Sequence, residues 1–528
     1  MDENRDVFAI EKYEENKRRM TDRVYKYISR IDEYRSSNYN ETEVRVDFVN
    51  PFFKELGWDV DNEAGLPQHL REVTHEATVY VEEDGIKKSK KPDYSFRVGT
   101  ETLFYLETKK PSVDITNDNA PAFQLRRYGW SGNLNISVLT NYNDLYIYDC
   151  TIRPMENDSV HTAMIAHYTY DEYVDKFDEI YGMLSKEAVL SGNFAKRFEN
   201  VRGTLRSESF DEYFLDQMRE FRLMLGRDVF SHNPNMSVET LNISVQRILN
   251  RILFLRICED HSFEKYELLK EIRTYEDLKR LFRMADKKYD SGLFKLLEED
   301  RVSLSDDVLI NIFKELYYPN SSYEFDAIDP FVIGQIYELF LEEQLIVDRN
   351  GDVVTVLKPE AVDSQGAVNT PKNVTDIITE QTLQEVLSGK TPEEISKIRV
   401  ADICCGSGNF LLSAYEYIIN YYIEWYLKND KETAFREGIL YQLPASDHYR
   451  LAYKIRRQIL TDNIWGVDID PMAVEVAKFS LLLKLLKDTP AGEIDEEHSV
   501  KILPELNGNI KNGNSLIDMS YAQFCPDI

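Results

Sequence analysis

The pattern of apolar residues changes twice along this chain, and that change constrains the fold more than any other feature of the sequence. Up to about residue 190, charged helical stretches are followed by short strands. The middle segment is almost entirely helical, and from about residue 351 strands and helices alternate. A chain of 528 residues has room for about three or four domains of roughly 150 residues. We therefore predict a multidomain α/β protein with domains at residues 1–190, 191–350 and 351–528.

In the first segment, predicted helices precede predicted strands. The helices run from Asp6 to Tyr39 and from Glu41 to Leu56, where Gly57 ends the second. Alternating apolar residues predict strands at 78–82, 93–98, 102–107, 136–140 and 145–148, with a short helix at 122–129 before the last two. This arrangement indicates an α/β unit that ends beyond Cys150.

The middle and last segments differ in how their apolar residues repeat. In the middle segment a stripe at three- and four-residue spacing predicts an all-helical connector domain. The members of the stripe are Leu241, Val245, Ile248, Leu249, Ile252 and Leu253. In the last segment we expect Thr370 and Pro371 to open a helix as N-cap and first-turn proline. The strands and helices that follow are typical of a parallel doubly wound sheet, here incomplete and Rossmann-like, with a helical insertion at about 420–460.

The chain is strongly acidic, with a formal net charge of −30. Bulk electrostatic attraction to nucleic acid is therefore excluded, and any contact with phosphate must come from local basic runs. Three such runs are Lys87, Lys88, Lys90 and Lys91; Lys109 and Lys110; and Arg126 and Arg127. The five cysteines show neither a Cys-x-x-Cys pair nor zinc-type spacing, and the sequence has neither a signal peptide nor an apolar run of about 18 residues. We expect a soluble protein of the reducing cytoplasm.

One constellation in the first segment has the chemistry of a metal-dependent hydrolase. Asp93 and Glu107 stand at the ends of adjacent predicted strands, where two carboxylates can share a hard cation such as Mg²⁺. Lys109 lies two residues after Glu107 and so faces the same side of its strand. Its charge can lower the pKa of a metal-bound water or stabilise a phosphate. A cluster of surface salt bridges is the alternative interpretation.

Three further residues extend this constellation. Gln124 and Tyr128 are four apart on one helix face, placed to reach a phosphate or the attacking water, and Glu43 lies on a helix that can bring a third acid. The whole set resembles the PD-(D/E)xK nuclease domain of type I and type IIG/IIL restriction-modification enzymes. The resemblance implies that the strand-end aspartate and glutamate hold Mg²⁺, that the lysine is catalytic, and that the glutamine and tyrosine support them.

A second constellation, in the last segment, has the chemistry of a nucleoside-binding site. Gly406 and Gly408 follow an apolar strand that ends near Asp402 and precede a helix, so the backbone can approach a ligand carboxylate at the helix N-terminus. Asp468 ends another predicted strand and can accept both hydroxyls of a ribose, while Asn514 at a third strand end can meet an adenine amino group. Asp468 follows Gly406 by 62 residues, which excludes the spacing of about 20 found in nicotinamide-binding folds.

These three elements resemble motifs I, II and III of S-adenosylmethionine-dependent N6-adenine DNA methyltransferases. The stretch from Gln365 to Pro371 is similar to their motif X, which covers the methionine end of the cofactor. The resemblance implies S-adenosylmethionine as cofactor, bound by these motifs together with Thr370 and Pro371. Three positions depart from the family pattern: Ile403 replaces a proline, Asn369 an aromatic residue and Asn514 an aspartate. None of these changes removes a hydrogen-bonding group that the cofactor needs.

The order nuclease, helical connector, methyltransferase also resembles that of single-chain type IIG enzymes. It implies a prokaryotic, cytoplasmic restriction-modification enzyme that acts on double-stranded DNA without a membrane. The family's catalytic Asn/Asp-Pro-Pro-Tyr/Phe does not occur in these 528 residues, and the target-recognition domain is missing too. We therefore expect the N-terminal part of such an enzyme. Two alternatives are a modification-only methyltransferase with a relic nuclease domain, and a non-catalytic, cofactor-sensing subunit that binds DNA.

Overall fold

The computed structural model describes residues 2–75, 92–194, 196, 209–289, 292–295, 301–358, 370–442, 448–487, 489, 493 and 503–516. The predicted strand at 78–82, the lysine run from Lys87 to Lys91 and the motif X residues before Thr370 lie outside this part of the chain. In the described part, no helix is long and apolar enough to cross a membrane. Helices and strands occur in all three segments, so the prediction of a mixed α/β protein is confirmed.

The first segment contains a six-stranded sheet whose strands lie in sequence order, with β3 and β4 parallel and the other neighbours antiparallel. The strands are β1 Val73–His75, β2 Tyr94–Val98, β3 Glu101–Thr108, β4 Ile136–Thr140, β5 Asp144–Asp149 and β6 Met164–Thr169. The helices are α1 Asp2–Ser29, α2 Ile31–Tyr34, α3 Glu41–Val44, α4 Asn50–Glu55, α5 Asn119–Ser131, α6 Phe177–Leu184 and α7 Lys186–Leu190. A π-helical turn, Arg45–Val49, joins α3 to α4, and a 3-10 turn, Gln68–Leu70, precedes β1. Strands β1 and β6 were not predicted.

The register of β2 on β3 positions the candidate carboxylates of this sheet. Tyr94 pairs with Leu106 in antiparallel register, so Asp93, one residue before β2, lies opposite Glu107 near the end of β3. Phe104 and Leu106 bury one face of β3, and the alternation of a strand leaves Glu107 on the other face. The β2–β3 turn passes through Gly99 at φ +59°, a left-handed conformation that glycine adopts without a Cβ clash.

The middle segment is helical up to a terminal hairpin. Its elements are α8 Phe210–His232, α9 Val238–Asp260, α10 Leu268–Glu271, α11 Tyr275–Tyr289, α12 Asp306–Glu315, α13 Pro330–Leu341, β7 Glu343–Val347 and β8 Val353–Leu357. The predicted apolar stripe lies on α9, where each member is at most 1% exposed. The β7–β8 hairpin was not predicted. It packs against α8, where Leu345 Cδ1 lies 2.5 Å from the place that a Cβ on Gly226 would take.

The last segment contains three parallel strands in the order β13-β12-β9, as the alternation of strands and helices predicts. Its elements are α14 Lys372–Leu387, α15 Pro392–Ile395, β9 Val400–Asp402, α16 Asn409–Asn429, α17 Lys431–Arg436, β10 Leu440–Gln442, β11 Tyr449–Leu451, α18 Tyr453–Asn463, β12 Ile464–Asp468, α19 Pro471–Leu486 and β13 Ile510–Asn512. Two predictions differ from the structure. The insertion at 420–460 includes the hairpin β10–β11 as well as helix. Pro371 is extended at ψ 148° and is itself the cap residue, so α14 begins at Lys372.

The hydrophobic core is divided differently from the predicted domains. The first segment has a core of its own, built from all six strands and the helices before and after the sheet. The middle and last segments share one continuous core, and Trp130 of α5 packs into it from the first segment. The predicted boundary near residue 350 therefore does not separate two cores.

Candidate functional site

Asp93 lies directly before β2, and hydrogen bonds from Thr108 of β3 fix its carboxylate. Its side chain is 9% exposed. The Oδ2 atom accepts hydrogen bonds from Thr108 N–H at 2.7 Å and from Thr108 Oγ at 2.6 Å. Because both donors belong to the residue after Glu107, the two carboxylates are tied to one point of β3.

Glu107 and Lys109 form an ion pair beside this aspartate. The Lys109 N–H also donates to Thr140 O at 2.9 Å, which extends the backbone pairing of β3 with β4 by one residue. Burial raises the pKa of Glu107 to about 7; the charge of Asp93 acts in the same direction and that of Lys109 in the opposite one. Burial acts to lower the pKa of Lys109, but the charge of Glu107 outweighs it and the pKa rises. The structure thus brings together Asp93, Glu107 and Lys109, three of the six predicted residues.

Arg45 belongs to this cluster and was not predicted from the sequence. Its guanidinium bonds Asp93 Oδ1, donates from Nε to Thr108 Oγ1 at 2.7 Å, and donates to Glu41 Oε1 at 2.7 Å. The π-helical turn starts at Arg45, one turn after Glu41 on α3. The spacing of Glu41 and Arg45, four residues apart on a helix, is the signal that could have indicated this pair.

Glu41, rather than Glu43, is the acid that α3 brings to the cluster. The side chain of Glu43 is exposed and accepts the Asn40 N–H at 2.7 Å, while Asn40 Oδ1 accepts the Glu43 N–H at 3.0 Å. This reciprocal capping box holds Glu43 away from the sheet. Burial raises the pKa of Glu41, and the charge of Asp93 acts in the same direction.

Gln124 and Tyr128 lie on α5, as predicted, but Tyr128 contacts the connector. Tyr128 is 3% exposed and its hydroxyl donates to Asp326 Oδ2 at 3.1 Å. Gln124, one turn earlier, is partly buried. The hydroxyl of Tyr128 therefore bonds a carboxylate of the middle segment rather than the Asp93 cluster.

The arginines of α5 do not form the open basic run that the sequence suggested. Arg126 is 1% exposed and pairs with Asp158 at 2.7 Å. Arg127 pairs with Glu324 of the connector at 2.7 Å and also donates to Tyr323 O at 2.9 Å. Both guanidinium groups therefore form ion pairs within the protein instead of offering their charge to a phosphate.

The oxygen donors of the first cluster suit a hard cation, but they face basic side chains. Asp93, Glu107 and Glu41 would offer carboxylate oxygens, which Mg²⁺ prefers. Arg45 and Lys109 instead neutralise these carboxylates. Among the described residues, no group of three or more His, Cys, Asp or Glu side chains is arranged to hold a metal ion.

The second predicted site lies at the carboxyl ends of the three parallel strands. Asp468 ends β12, and its Oδ2 accepts the N–H of Gly406 at 2.8 Å, while its Oδ1 accepts the N–H of Asp470 at 2.9 Å. The first bond joins the loop after β9 to the end of β12. Asp402 ends β9 and accepts the Cys404 N–H at 3.1 Å, which shapes the start of the same loop.

The glycines of this loop are required by its backbone. Gly406 and Gly408 have φ of +51° and +90°, a backbone conformation that residues other than glycine rarely adopt. A Cβ on Gly408 would also lie 3.1 Å from Ala477 Cβ of α19. Gly408 is the N-cap residue of α16, so no capping side chain competes for the N–H groups of its first turn.

Asn514 lies just beyond β13, at the same edge of the sheet. It is exposed, and its Oδ1 accepts the Leu516 N–H at 3.0 Å. Asn512, which the sequence reasoning did not single out, joins this strand to the previous one because its Nδ2 donates to Asp468 O at 3.1 Å and to Ile469 O at 2.9 Å.

Thr370 and Pro371 precede α14, which packs against the first turns of α16. Thr375 Oγ1 lies 3.0 Å from Ser413 Oγ across this contact.

Two exposed apolar side chains at this edge were also missed. Ile469 follows β12 and is 70% exposed, and Leu516 follows β13 and is 87% exposed. A large apolar side chain directly after a strand-end acid is the sequence signal that could have identified Ile469. Together they offer apolar surface beside the polar groups of Asp468 and Asn514.

Comparisons with known proteins agree with the resemblance carried by the motifs. Residues 379–528 match the family model described as MmeI, DNA-methyltransferase domain. The type II restriction enzyme and methyltransferase RM.Eco57I of Escherichia coli is 39% identical over 505 residues, which are 94% of this chain and 49% of that protein. The adenine-specific methyltransferase PglX of Streptomyces coelicolor is 26% identical over 146 residues, 28% of this chain and 10% of that protein.

Among solved structures, the DNA complex of the type IIL restriction-modification enzyme MmeI has a TM-score of 0.34 and 14% identity, covering 58% of this chain and 41% of the other. The present chain spans about half the length of RM.Eco57I. The chain is therefore a homologue of the type II restriction enzyme and methyltransferase RM.Eco57I.

Proposed function

We propose that this chain is the nuclease, connector and cofactor-binding part of an enzyme that both cleaves and methylates double-stranded DNA. The observation that carries the proposal is the hydrogen bond from Gly406 N–H to Asp468, since it joins the glycine loop to the acidic strand end in one site. Homology to RM.Eco57I along 94% of the chain supports both activities.

The residues at the sheet edge fit S-adenosylmethionine, which would supply an electrophilic methyl group. Gly406 and Gly408 both have positive φ and carry no side chain, so the backbone of this loop can approach the carboxylate of a methionine. Each carboxylate oxygen of Asp468 accepts one backbone N–H and has a second lone pair left for a ribose hydroxyl. Ile469 and Leu516 would contact the adenine ring, and Asn514 its amino group.

We propose adenine N6 as the methyl acceptor. The order and spacing of the three strand-end motifs support this assignment, as does similarity to PglX, a protein named as an adenine-specific methyltransferase. Transfer of labelled methyl groups from S-adenosylmethionine to duplex DNA by the complete protein tests it. Label recovered in cytosine would contradict the assignment to adenine, and the absence of label in DNA would favour a cofactor-sensing subunit.

For the first segment we propose Mg²⁺-dependent hydrolysis of phosphodiester bonds. A bound Mg²⁺ would polarise the phosphate and activate a water molecule. Asp93 and Glu107 would hold it, with Glu41 as a third acid, after Arg45 and Lys109 move away from these carboxylates. Lys109 would then be released from Glu107 to stabilise phosphate charge. Tyr128, and with it α5, would position the nuclease against the connector.

A modification-only enzyme is the second candidate, and one observation favours it. Arg45 and Lys109 neutralise the acids of the cluster, as they would in a structural ion-pair network. Cleavage of plasmid DNA by the complete protein and by its Asp93→Ala variant separates the two candidates. Mg²⁺-dependent cutting that the substitution abolishes supports the nuclease. Intact plasmid, or equal cutting by both proteins, supports the modification-only enzyme.

A further inference from the structure

A cavity of about 350 Å³ lies where the connector meets the last sheet, next to the proposed cofactor site but lined by other residues. Its volume falls within the range of about 300 to 1,000 Å³ typical of small-ligand pockets. The lining residues come from α9, α19, β13 and the turn before β13, and include Gln246, Arg247, Asn250, Lys478, Lys511 and Asn512. Gly406, Gly408 and Asp468 of the proposed cofactor site do not line this cavity.

The charged lining of this cavity is basic, although the chain as a whole is acidic. Arg247, Lys478 and Lys511 line it together with one acid, Glu475. Lys478 lies 3.2 Å from that acid and also donates to Asn507 Oδ1 at 2.8 Å. An adjoining cavity of about 210 Å³ shares Arg247 and Lys478 and adds the basic residues Arg251 and Lys295. Such a lining favours an anionic ligand.

A buried amide pair forms part of the same lining. Gln246 and Asn250 are 0% and 1% exposed, and Gln246 Nε2 donates to Asn250 Oδ1 at 2.8 Å. No group in the described part of the chain donates to Gln246 Oε1. A buried acceptor without a partner destabilises the folded protein, because it has lost its hydrogen bonds to water. Gln246 lines the cavity, so a ligand amino group that reaches this oxygen would satisfy it.

We propose that this cavity is a binding site for a nucleoside monophosphate. The phosphate lies at Arg247 and Lys511, the base packs against the apolar lining, and a base amino group donates to Gln246. Asn512 lines the cavity and bonds the backbone of Asp468 and Ile469, so the site adjoins the proposed cofactor site without sharing its ligands. The inference does not depend on the proposed methyltransferase activity.

Calorimetric titration of the 528-residue chain with adenosine monophosphate tests the proposal. Adenosine, which lacks the phosphate, and ribose 5-phosphate, which lacks the base, should each bind at least about tenfold more weakly, since each loses a charged or hydrogen-bonded contact. Lys511→Glu should weaken the binding of adenosine monophosphate by at least about tenfold, because it reverses a charge in the lining. Lys454→Glu, at an exposed lysine of α18 that does not line the cavity, is the matched control and should bind as the unaltered chain does.

Four results would overturn the proposal. These are no binding of adenosine monophosphate, equal weakening by the two lysine substitutions, loss of binding when S-adenosylmethionine is present at saturation, and displacement of the nucleotide by a short DNA duplex. The third would place the nucleotide in the cofactor site, and the fourth would assign the basic lining to contact with DNA. Failure of S-adenosylmethionine to bind would instead count against the proposed function alone.

Discussion

The guanidinium group of Arg45 bonds the carboxylate of Asp93 at the oxygen that Thr108 leaves accessible. The same guanidinium bonds Glu41, so one basic side chain lies between two acids of the proposed metal site. A metal ion that binds both acids must displace Arg45 from Asp93. At the proposed metal site, Arg45 and Mg²⁺ would therefore compete for the same carboxylates.

The first prediction concerns this competition. We expect Arg45→Met to lower the melting temperature in the absence of Mg²⁺, because breaking a buried ion pair costs about 3 to 5 kcal/mol. Added Mg²⁺ should then raise the melting temperature of the variant more than that of the unaltered protein, since the ion replaces the missing charge. Thermal unfolding with Mg²⁺ and with a chelator measures both effects.

The matched control for this prediction is Arg23→Met. Arg23 pairs with Glu55 at 2.5 Å in the same domain, and the side chain of Glu55 is 4% exposed. This variant should also lose stability, but Mg²⁺ should not restore it, because Arg23 does not contact the Asp93 cluster. An equal response of the two variants to Mg²⁺ would argue against a metal site at Asp93.

The second prediction concerns S-adenosylmethionine and Asp468. Asp468→Ala should weaken binding by roughly 1 to 3 kcal/mol, or about 5- to 150-fold, because the ribose hydroxyls lose their acceptor. Calorimetry on the 528-residue chain measures this loss. Glu437→Ala, at an exposed glutamate after α17, should leave binding unchanged. Unaltered affinity in Asp468→Ala would remove this residue from the cofactor site.

The third prediction concerns Gly408 of the proposed cofactor loop. It separates the backbone conformation from steric contact as reasons for glycine at this position, with Gly389, outside the loop, as the comparison. Gly389 and Gly408 both have positive φ, at +74° and +90°, but only Gly408 has an atom within 4 Å of the place of a Cβ. Gly389→Ala should cost about 1 to 2 kcal/mol of unfolding free energy through the backbone alone. Gly408→Ala should cost more, because its methyl group also meets Ala477. Equal costs in urea unfolding would show that α19 can move away.

The fourth prediction concerns pH and Glu259 of α9. Burial raises the pKa of this glutamate to about 7, while Arg256 and the hydrogen bond from Tyr317 act against burial. A carboxyl group with a raised pKa holds its proton longer in the folded protein than in the unfolded chain. Its contribution to stability is therefore lost as pH rises from about 4.5 through 7.

Comparison with Glu259→Gln measures this effect, because glutamine does not titrate. Between pH 5 and 8 the unaltered protein should lose up to about 3 kcal/mol relative to the variant. Glu276→Gln, at an exposed glutamate of α11, should follow the unaltered protein across this range. Parallel curves for the unaltered protein and Glu259→Gln would show that the carboxyl group ionises normally.

Both sites were predictable to the extent that they depend on strand ends. Asp93, Glu107 and Lys109 were identified because the spacing of residues along a strand determines which of them share a face, and antiparallel pairing brings Asp93 beside Glu107. Gly408 and Asp468 were identified because parallel strands end at one edge of a sheet. The capping box that removes Glu43 could also be recognised in Asn40-x-x-Glu43, although it was not used.

The remaining contacts depend on how separate segments pack. Nothing in the local sequence indicates that Tyr128 bonds Asp326, since 198 residues separate them. The shared core of the middle and last segments was missed for the same reason, because a stripe of apolar residues shows that a helix is buried but not against which partner.

The sequence by itself determined the three kinds of segment and the parallel strands of the last one. It also determined the acids and glycines at the strand ends. These features follow from local periodicity and backbone conformation. Only the tertiary structure decided that Glu41 replaces Glu43, that Arg45 lies between the acids, and that Asn512 joins β13 to β12. The physical reason is that a side chain reaches its partner only after the π-helical turn, the sheet register and the packing of the helices have set its direction.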